Sequence, residues 1–416
     1  MKKYFLIFLL YYVFINTLNS YSQWVQCSVG IGENQRITSV ISGGGYLFAG
    51  SATGGVYRSS NNGDSWQPVN TGLSNTKVSA LYFTINNLYA GTIGGGVFTS
   101  TNSGDSWSAA SGGLTNLYIS SLYYSNSKIY AGTSDTLGNS GGVYVSTNSG
   151  AIWSFAGLSG LQVRAILVND NFLLAGTGYN GTTGGVFRTT NGGVNWHISN
   201  YGLLGFGIEV NHLSADGANI YAGTGTGVYL SINNGGSWES ISIQLSGVKV
   251  NSLALNNFMM FAGTPNGVYI STNYGVNWTL RNQGFTQGIS VNKLLVSGNN
   301  LYAGTMEHSI WRRDANEIIG IRKITGEVPE KVRLLQNYPN PFNSLSKIRF
   351  EISKTSVTYI YIYDIKGCLI RNIVSGIYSP GIYEFIFDGS DLASGIYYCR
   401  MIAGDYGLTR KMLIIK

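Results

Sequence analysis

Residues 78–110 read VSALYFTINNLYAGTIGGGVFTSTNSGDSWSAA, and the fold turns on this stretch. VSALYF (78–83) alternates its side chains in the way of a strand with one buried face. Asn86-Asn87 marks a turn, and NLYAGT (87–92) reads as a second strand. GVFTST (96–101) and SWSAA (106–110) supply a third and a fourth. The unit repeats along the chain. Ala-Gly-Thr or Ala-Gly-Ser recurs at Gly50, Gly91, Gly132, Gly176, Gly223, Gly263 and Gly304, with steps of 41, 41, 44, 47, 40 and 41 residues. A four-stranded unit with that period reads as a propeller blade.

The turn between the third and fourth strands is itself a motif. It reads SSNNGDSW (59–66), STNSGDSW (100–107), STNSGAIW (146–153), TTNGGVNW (189–196), SINNGGSW (231–238) and STNYGVNW (271–278). Asparagine tolerates left-handed backbone and caps its own turn, glycine supplies positive φ, and tryptophan packs the hairpin onto the blade. The motif resembles the Asp-box (BNR repeat) of sialidase-like and sortilin-like propellers, with Asn where that box usually carries Asp. In those families the box lies away from the active face.

Tryptophans at this position number seven: 24, 66, 107, 153, 196, 238 and 278. The last Ala-Gly-Thr phrase is followed by a third strand, SIWRRD (309–314), and no fourth; the first is preceded by an orphan fourth strand, WVQCS (24–28). One missing strand and one spare strand predict a closed ring in which the N-terminal strand completes the seventh blade, leaving no open edge.

Composition agrees with an all-β reading. Of 416 residues only 11% are charged, while 57 are glycine and 29 tyrosine. Such a chain buries enough apolar surface to fold. The opening segment has the form of a signal peptide (1–22): Lys2 and Lys3, an apolar run from 4 to 15, and small residues Ser20 and Ser22 predicting cleavage between Ser22 and Gln23. No later stretch is long and apolar enough to span a bilayer, so no transmembrane segment is expected in the mature chain. The net charge of +7 is uneven: residues 23–320 hold 11 basic and 11 acidic side chains, residues 321–416 hold 13 and 8. A neutral body without a basic stripe argues against a nucleic-acid partner. Three cysteines (Cys27, Cys368, Cys399) and three scattered histidines show no metal-ligand spacing, and no cofactor is expected. Whether Cys368 and Cys399 pair is open.

The repeat ends near Asp314. After a linker (315–333), residues 334–416 show five strand-like segments separated by turn signals at Lys366-Gly367, Pro380-Gly381 and Gly404-Asp405, which reads as a small immunoglobulin-like sandwich. The full expectation is all-β, a seven-bladed β-propeller (23–314) followed by that sandwich. NYPNPFN (337–343), YDIKG (363–367), LASGIY (392–397) and RKMLIIK (410–416) closely resemble the type A C-terminal sorting domain of the type IX secretion system, found in Bacteroidota and their relatives. Ser344-Leu345 departs from the Pro-Ser that often follows Phe-Asn there. The resemblance implies passage to the periplasm, contact with the type IX secretion machinery, and export to the outer surface of a Gram-negative cell or release from it.

Two functions compete: a non-catalytic binding or recognition module, and a secreted glycoside hydrolase of sialidase-like or xyloglucanase-like type. Hydrolysis needs two positioned carboxyls. The body's acids show no paired spacing, its seven arginines form no recognisable carboxylate clamp, and no catalytic residue stands out. Related repeats occur in the periplasmic sensor propellers of hybrid histidine kinases, but no kinase follows here. Departures from the period, at 134–140, 178–183 and 201–208, place Asp135, Tyr179, Tyr201 and Phe206 as a candidate glycan- or protein-contacting patch on the loop face.

Overall fold

The computed structural model describes residues 23–135, 141–179, 181, 183–256, 259–285, 288–315, 321–325, 327–390 and 392–416. The stretch read as a signal peptide (1–22), Ser22 included, lies outside them.

Residues 25–314 form seven four-stranded antiparallel sheets. The first runs Ile37–Gly43, Tyr46–Ser51, Gly55–Ser59 and Gln67–Pro68, and five more follow the same order. The seventh is built from both ends of this region. Val291–Ser297, Asn300–Thr305 and Ile310–Asp314 are completed by Val25–Gln26, with Val25 opposite Arg312 and Gln26 opposite Trp311. The innermost strand of each sheet packs on the next, and Val291–Ser297 packs on Ile37–Gly43, so the order is cyclic.

Each recurrent residue has a place in this ring. The glycine of the Ala-Gly-Thr/Ser phrase sits where the following sheet crosses closest. A Cβ on Gly91 would lie 2.4 Å from Ile119 Cγ2, and one on Gly304 would lie 2.6 Å from Ile37 Cγ2. In the hairpin turn, Ser59 Oγ donates to Asn61 Oδ1 at 2.9 Å and accepts the Gly63 N–H at 2.9 Å. Asn61 Oδ1 also accepts the Ser65 N–H at 3.0 Å. The residue after the asparagine is left-handed, with φ of 55° at Asn62 and 58° at Tyr274. Asparagine accepts that region readily; tyrosine does not.

The buried tryptophans join the sheets. Each indole N–H donates to a carbonyl in the preceding sheet's outer segment: Trp66 to Cys27, Trp107 to Val69, Trp153 to Ala110, Trp196 to Ala156 and Trp238 to Ser199, at 2.7–2.9 Å. Trp24 completes the circle on the Arg281 carbonyl at 2.7 Å. Trp278 breaks the series, its buried Nε1 having no partner among the described residues. The chain before it departs from the pattern, since a 3-10 turn at Ile243–Leu245 follows the outer strand of the fifth sheet.

Beyond residue 321, two four-stranded antiparallel sheets enclose one core that includes Phe350, Phe385, Ile360, Met401 and Met412. One sheet orders Arg322–Thr325, Gly381–Asp388, Leu345–Ile352 and Arg333–Leu334; the other orders Leu369–Tyr378, Ser356–Asp364, Gly395–Ala403 and Tyr406–Ile414. The stretch read as a linker (315–333) therefore contains an edge strand of the tail. Its short RKIT segment has too little alternation to announce a strand, and pairing with Gly381–Asp388 supplies the missing order. Cys368 is exposed and Cys399 buried, and both are free thiols.

Replacing Trp107 by Phe should destabilise the chain by about 1 kcal/mol more than replacing Trp278 by Phe, because only the first change removes a hydrogen bond. Tyr274→Asn should stabilise it by roughly 1 kcal/mol by relieving left-handed backbone. Urea unfolding of the full chain measures both.

Candidate functional site

The innermost strand of six sheets opens with a buried β-branched residue, Ile37, Val78, Ile119, Val163, Val210 and Val291, and in the remaining sheet buried Val250 stands two residues ahead of the strand at the equivalent place. The next residue is always polar: Thr38, Ser79, Ser120, Arg164, Asn211, Asn251 and Asn292. Six of these side chains donate to the carbonyl of the following sheet's opening residue. Thr38 reaches Val78 at 2.7 Å, Asn211 reaches Val250 at 3.1 Å, Asn251 reaches Val291 at 2.9 Å, and Asn292 closes the circle on Ile37 at 3.1 Å. Ser79 and Ser120 do the same toward Ile119 and Val163. The exception is Arg164, whose guanidinium reaches Asn211 Oδ1 at 2.8 Å and Glu209 Oε1 at 2.5 Å.

This polar ring borders a cavity of about 560 Å³ at the channel mouth. Its wall also carries Arg36, Lys77, Lys249 and Lys293, and among the described residues none that lines it is acidic or aromatic. Glu209 stands beside it and is shared by two lining cations, Arg164 at 2.5 Å and Lys249 Nζ at 2.8 Å, both on the same carboxylate oxygen. Burial works to raise the Glu209 pKa, but hydrogen bonds and charge from Lys249 and Arg164 outweigh it and hold the carboxyl below its ordinary value. Beside the same mouth, burial and the nearby Lys293 charge push the His212 pKa down to about 3, and burial lowers that of Lys293.

Sequence reasoning missed this site. Its signal was the invariably polar residue after each opening β-branched position, which in a single repeat looks like the solvent side of an ordinary strand. Three patch residues lie next to the mouth. Asp135 follows Ser134, which lines the cavity. Tyr179 follows Gly178, whose N–H donates to the carbonyl of the lining residue Gln162. The Phe206 carbonyl accepts the Glu209 N–H. Tyr201 is placed elsewhere: its carbonyl accepts the Trp238 N–H, at the end of the fifth sheet's hairpin turn, and its ring is exposed.

The arginines divide in the same way. Arg36 and Arg164 line the cavity. Arg58 pairs with Asp105 and Arg312 with Asp64, each at 2.8 Å, tying one sheet to the next sheet's turn; Arg188 donates to the Asn234 carbonyl in another such turn. No three arginines share the mouth.

The tail's motif residues are structural. Asn337 is buried and its Nδ2 donates to Ser346 Oγ at 2.8 Å. Asn340 Oδ1 accepts the Leu413 N–H and its Nδ2 donates to the Lys411 carbonyl, holding the terminal strand. Asp364 Oδ1 accepts the N–H groups of Lys366 and Cys368 in the YDIKG turn.

Comparison with known structures places the ring in the β-propeller-like class. YCF48 from Cyanidioschyzon merolae is 14% identical, with a TM-score of 0.54, 71% of this chain and 99% of that one being covered. YCF48 bound to D1 peptide is 15% identical, with a TM-score of 0.53 and coverage of 71% and 97%. The extracellular domain of a hybrid two-component system from B. thetaiotaomicron is 15% identical, with a TM-score of 0.57; 96% of this chain matches 60% of that one. Identities this low speak for fold alone. No curated protein matches the sequence. Residues 336–416 match the family model described as the secretion system C-terminal sorting domain. The chain thus carries a type IX sorting tail, which marks it for export to the cell surface or the medium. Among the described residues no helix is long and apolar enough to cross a membrane.

Acid should erode stability in two stages. His212, about 3 in the fold against 6.5 as reference, disfavours the folded state once the unfolded chain takes up its proton below pH 6.5. Glu209, held below 4.5, contributes stability above that pH and loses it as the pH falls through its folded value. In thermal melts across the acid range, Glu209→Gln should be less stable at neutral pH and lose the stage below pH 4.5, while the slope that starts near 6.5 persists.

Proposed function

We propose that this chain is an exported seven-bladed β-propeller carrying Asp-box-like turns, joined to an immunoglobulin-like sorting sandwich, and that it acts as a non-catalytic recognition module. In this reading the leader is removed between Ser22 and Gln23. The type IX machinery carries the protein across the outer membrane of a Gram-negative cell, and the propeller (23–314) is the cargo. Ligand enters at the channel mouth, with Asp135, Tyr179 and Phe206 as accessory contacts on the loops beside it.

One observation carries the choice of binding over hydrolysis: among the described residues the cavity wall has no carboxylate, and the neighbouring Glu209 is engaged by Arg164 and Lys249. A general acid needs a raised pKa and a partner carboxyl across the scissile bond. Glu209 is shifted the opposite way. A sialidase-type clamp also needs three convergent arginines, and the mouth offers two.

Two measurements test the reading. The full chain, screened against aryl glycosides and polysaccharides including sialosides and xyloglucan, should release no sugar; turnover abolished by Glu209→Gln would establish the hydrolase instead. Deleting residues 336–416 should leave the protein in the periplasm, whereas the full chain reaches the surface or medium. Equal export of both forms would refute the sorting assignment.

A further inference from the structure

We propose that the channel mouth binds a small multivalent oxyanion, a compact molecule bearing two or more carboxylate, phosphate or sulfate groups, between Arg36, Lys77, Arg164, Lys249 and Lys293. The proposal rests on reading the propeller as a binding module, and adds the charge and size of what it binds.

Residues 23–320 are neutral in sum, with 11 basic and 11 acidic side chains. Five of those bases nevertheless line one cavity whose wall, among the described residues, contains no acid. Glu209 answers only Arg164 and Lys249. Among the described residues, the side chains of Arg36, Lys77 and Lys293 have no hydrogen bond or ion pair. Lys293 is the most telling: it lines the cavity half-buried, on the innermost strand of the sheet that closes the ring. Half-burying an ammonium without an anion costs part of its hydration, and gathering like charges in a funnel walled by protein adds repulsion while focusing a positive field on the mouth. A bound oxyanion offsets both costs.

The arrangement also sets valence and size. The cations come from the first, second, fourth, sixth and seventh sheets, so they surround the cavity rather than flank one side of it. A singly charged anion meets only part of that set. A volume of about 560 Å³ suits a small molecule. The remaining wall is mostly hydroxyl and amide groups, with no aromatic face to stack on a sugar ring.

The test is isothermal titration of the full chain with citrate, pyrophosphate, inorganic phosphate, sulfate and acetate. Citrate or pyrophosphate should bind at least ~10-fold more tightly than acetate, and binding should weaken markedly between ~20 mM and ~500 mM salt. Which of the two binds better separates a carboxylated ligand from a phosphorylated one; sulfate covers the third source. Arg36→Ala and Lys77→Ala should each weaken binding about 10-fold or more. Lys354→Ala, on the exposed surface of the tail, should not change it. Failure of every multivalent anion to bind below ~10 mM would overturn the proposal. So would wild-type affinity in R36A and K77A whose circular dichroism shows them folded. Glycoside turnover together with anion binding would sink the non-catalytic reading and leave the anion site standing. No turnover and no anion binding would sink the anion site alone.

Discussion

The ring depends on how closely neighbouring sheets approach near its axis. At the middle of each Ala-Gly-Thr/Ser phrase a glycine faces the β-branched residue that opens the next sheet, and a methyl group there would overlap it, as at Gly91 against Ile119. This close approach lets the polar residue one step further on reach the next sheet's carbonyl. Packing and hydrogen bonding are thus two readings of one spacing. A larger residue at either position would push two sheets apart, and a closed ring transmits such a push to every other contact.

The same spacing makes the site. Because the inner strands start at the channel mouth, whatever side chain follows the opening β-branched residue is delivered there, seven times over. Most copies use a hydroxyl or an amide and spend it on a neighbour's backbone. Arg164 instead recruits Glu209 and Asn211, and with Arg36, Lys77, Lys249 and Lys293 it turns a structural collar into a charged one. The outer edge is treated differently. There, arginines 58 and 312 meet aspartates 105 and 64 in partly exposed pairs that contribute little energy but bridge adjacent sheets.

Much of the fold was legible because repetition averages out local ambiguity. Six copies of the Ser/Thr-x-Asn-x-Gly turn and seven Ala-Gly phrases locate sheets even where a single segment would be equivocal, and the unpaired WVQCS strand foretold its pairing with 310–314. In the tail, NYPNPFN and YDIKG mark turns whose side chains bond the backbone, so their composition is dictated by local chemistry. The edge strand Arg322–Thr325 was not legible, because an edge strand of four residues takes its order from its partner. Nor was the charged mouth. Arg36, Lys77, Arg164, Lys249 and Lys293 are far apart in sequence and are cancelled in the sum by acids that lie elsewhere, among them Asp64 and Asp105 in the outer turns. The loop residues Asp135, Tyr179 and Phe206 were found by length irregularity, which locates loops but says nothing about what they surround.

The pairing of Val25–Gln26 with Ile310–Asp314 fixes an order of events as well as a shape. The first strand of the body to be synthesised has its ladder partner only in the last sheet, so the Trp24 indole, which bonds Arg281, and the Cys27 N–H, which bonds the Ile310 carbonyl, wait for most of the wheel. Closure over so many residues is a slow, highly non-local step. The wheel therefore cannot lock until nearly all of it has been made.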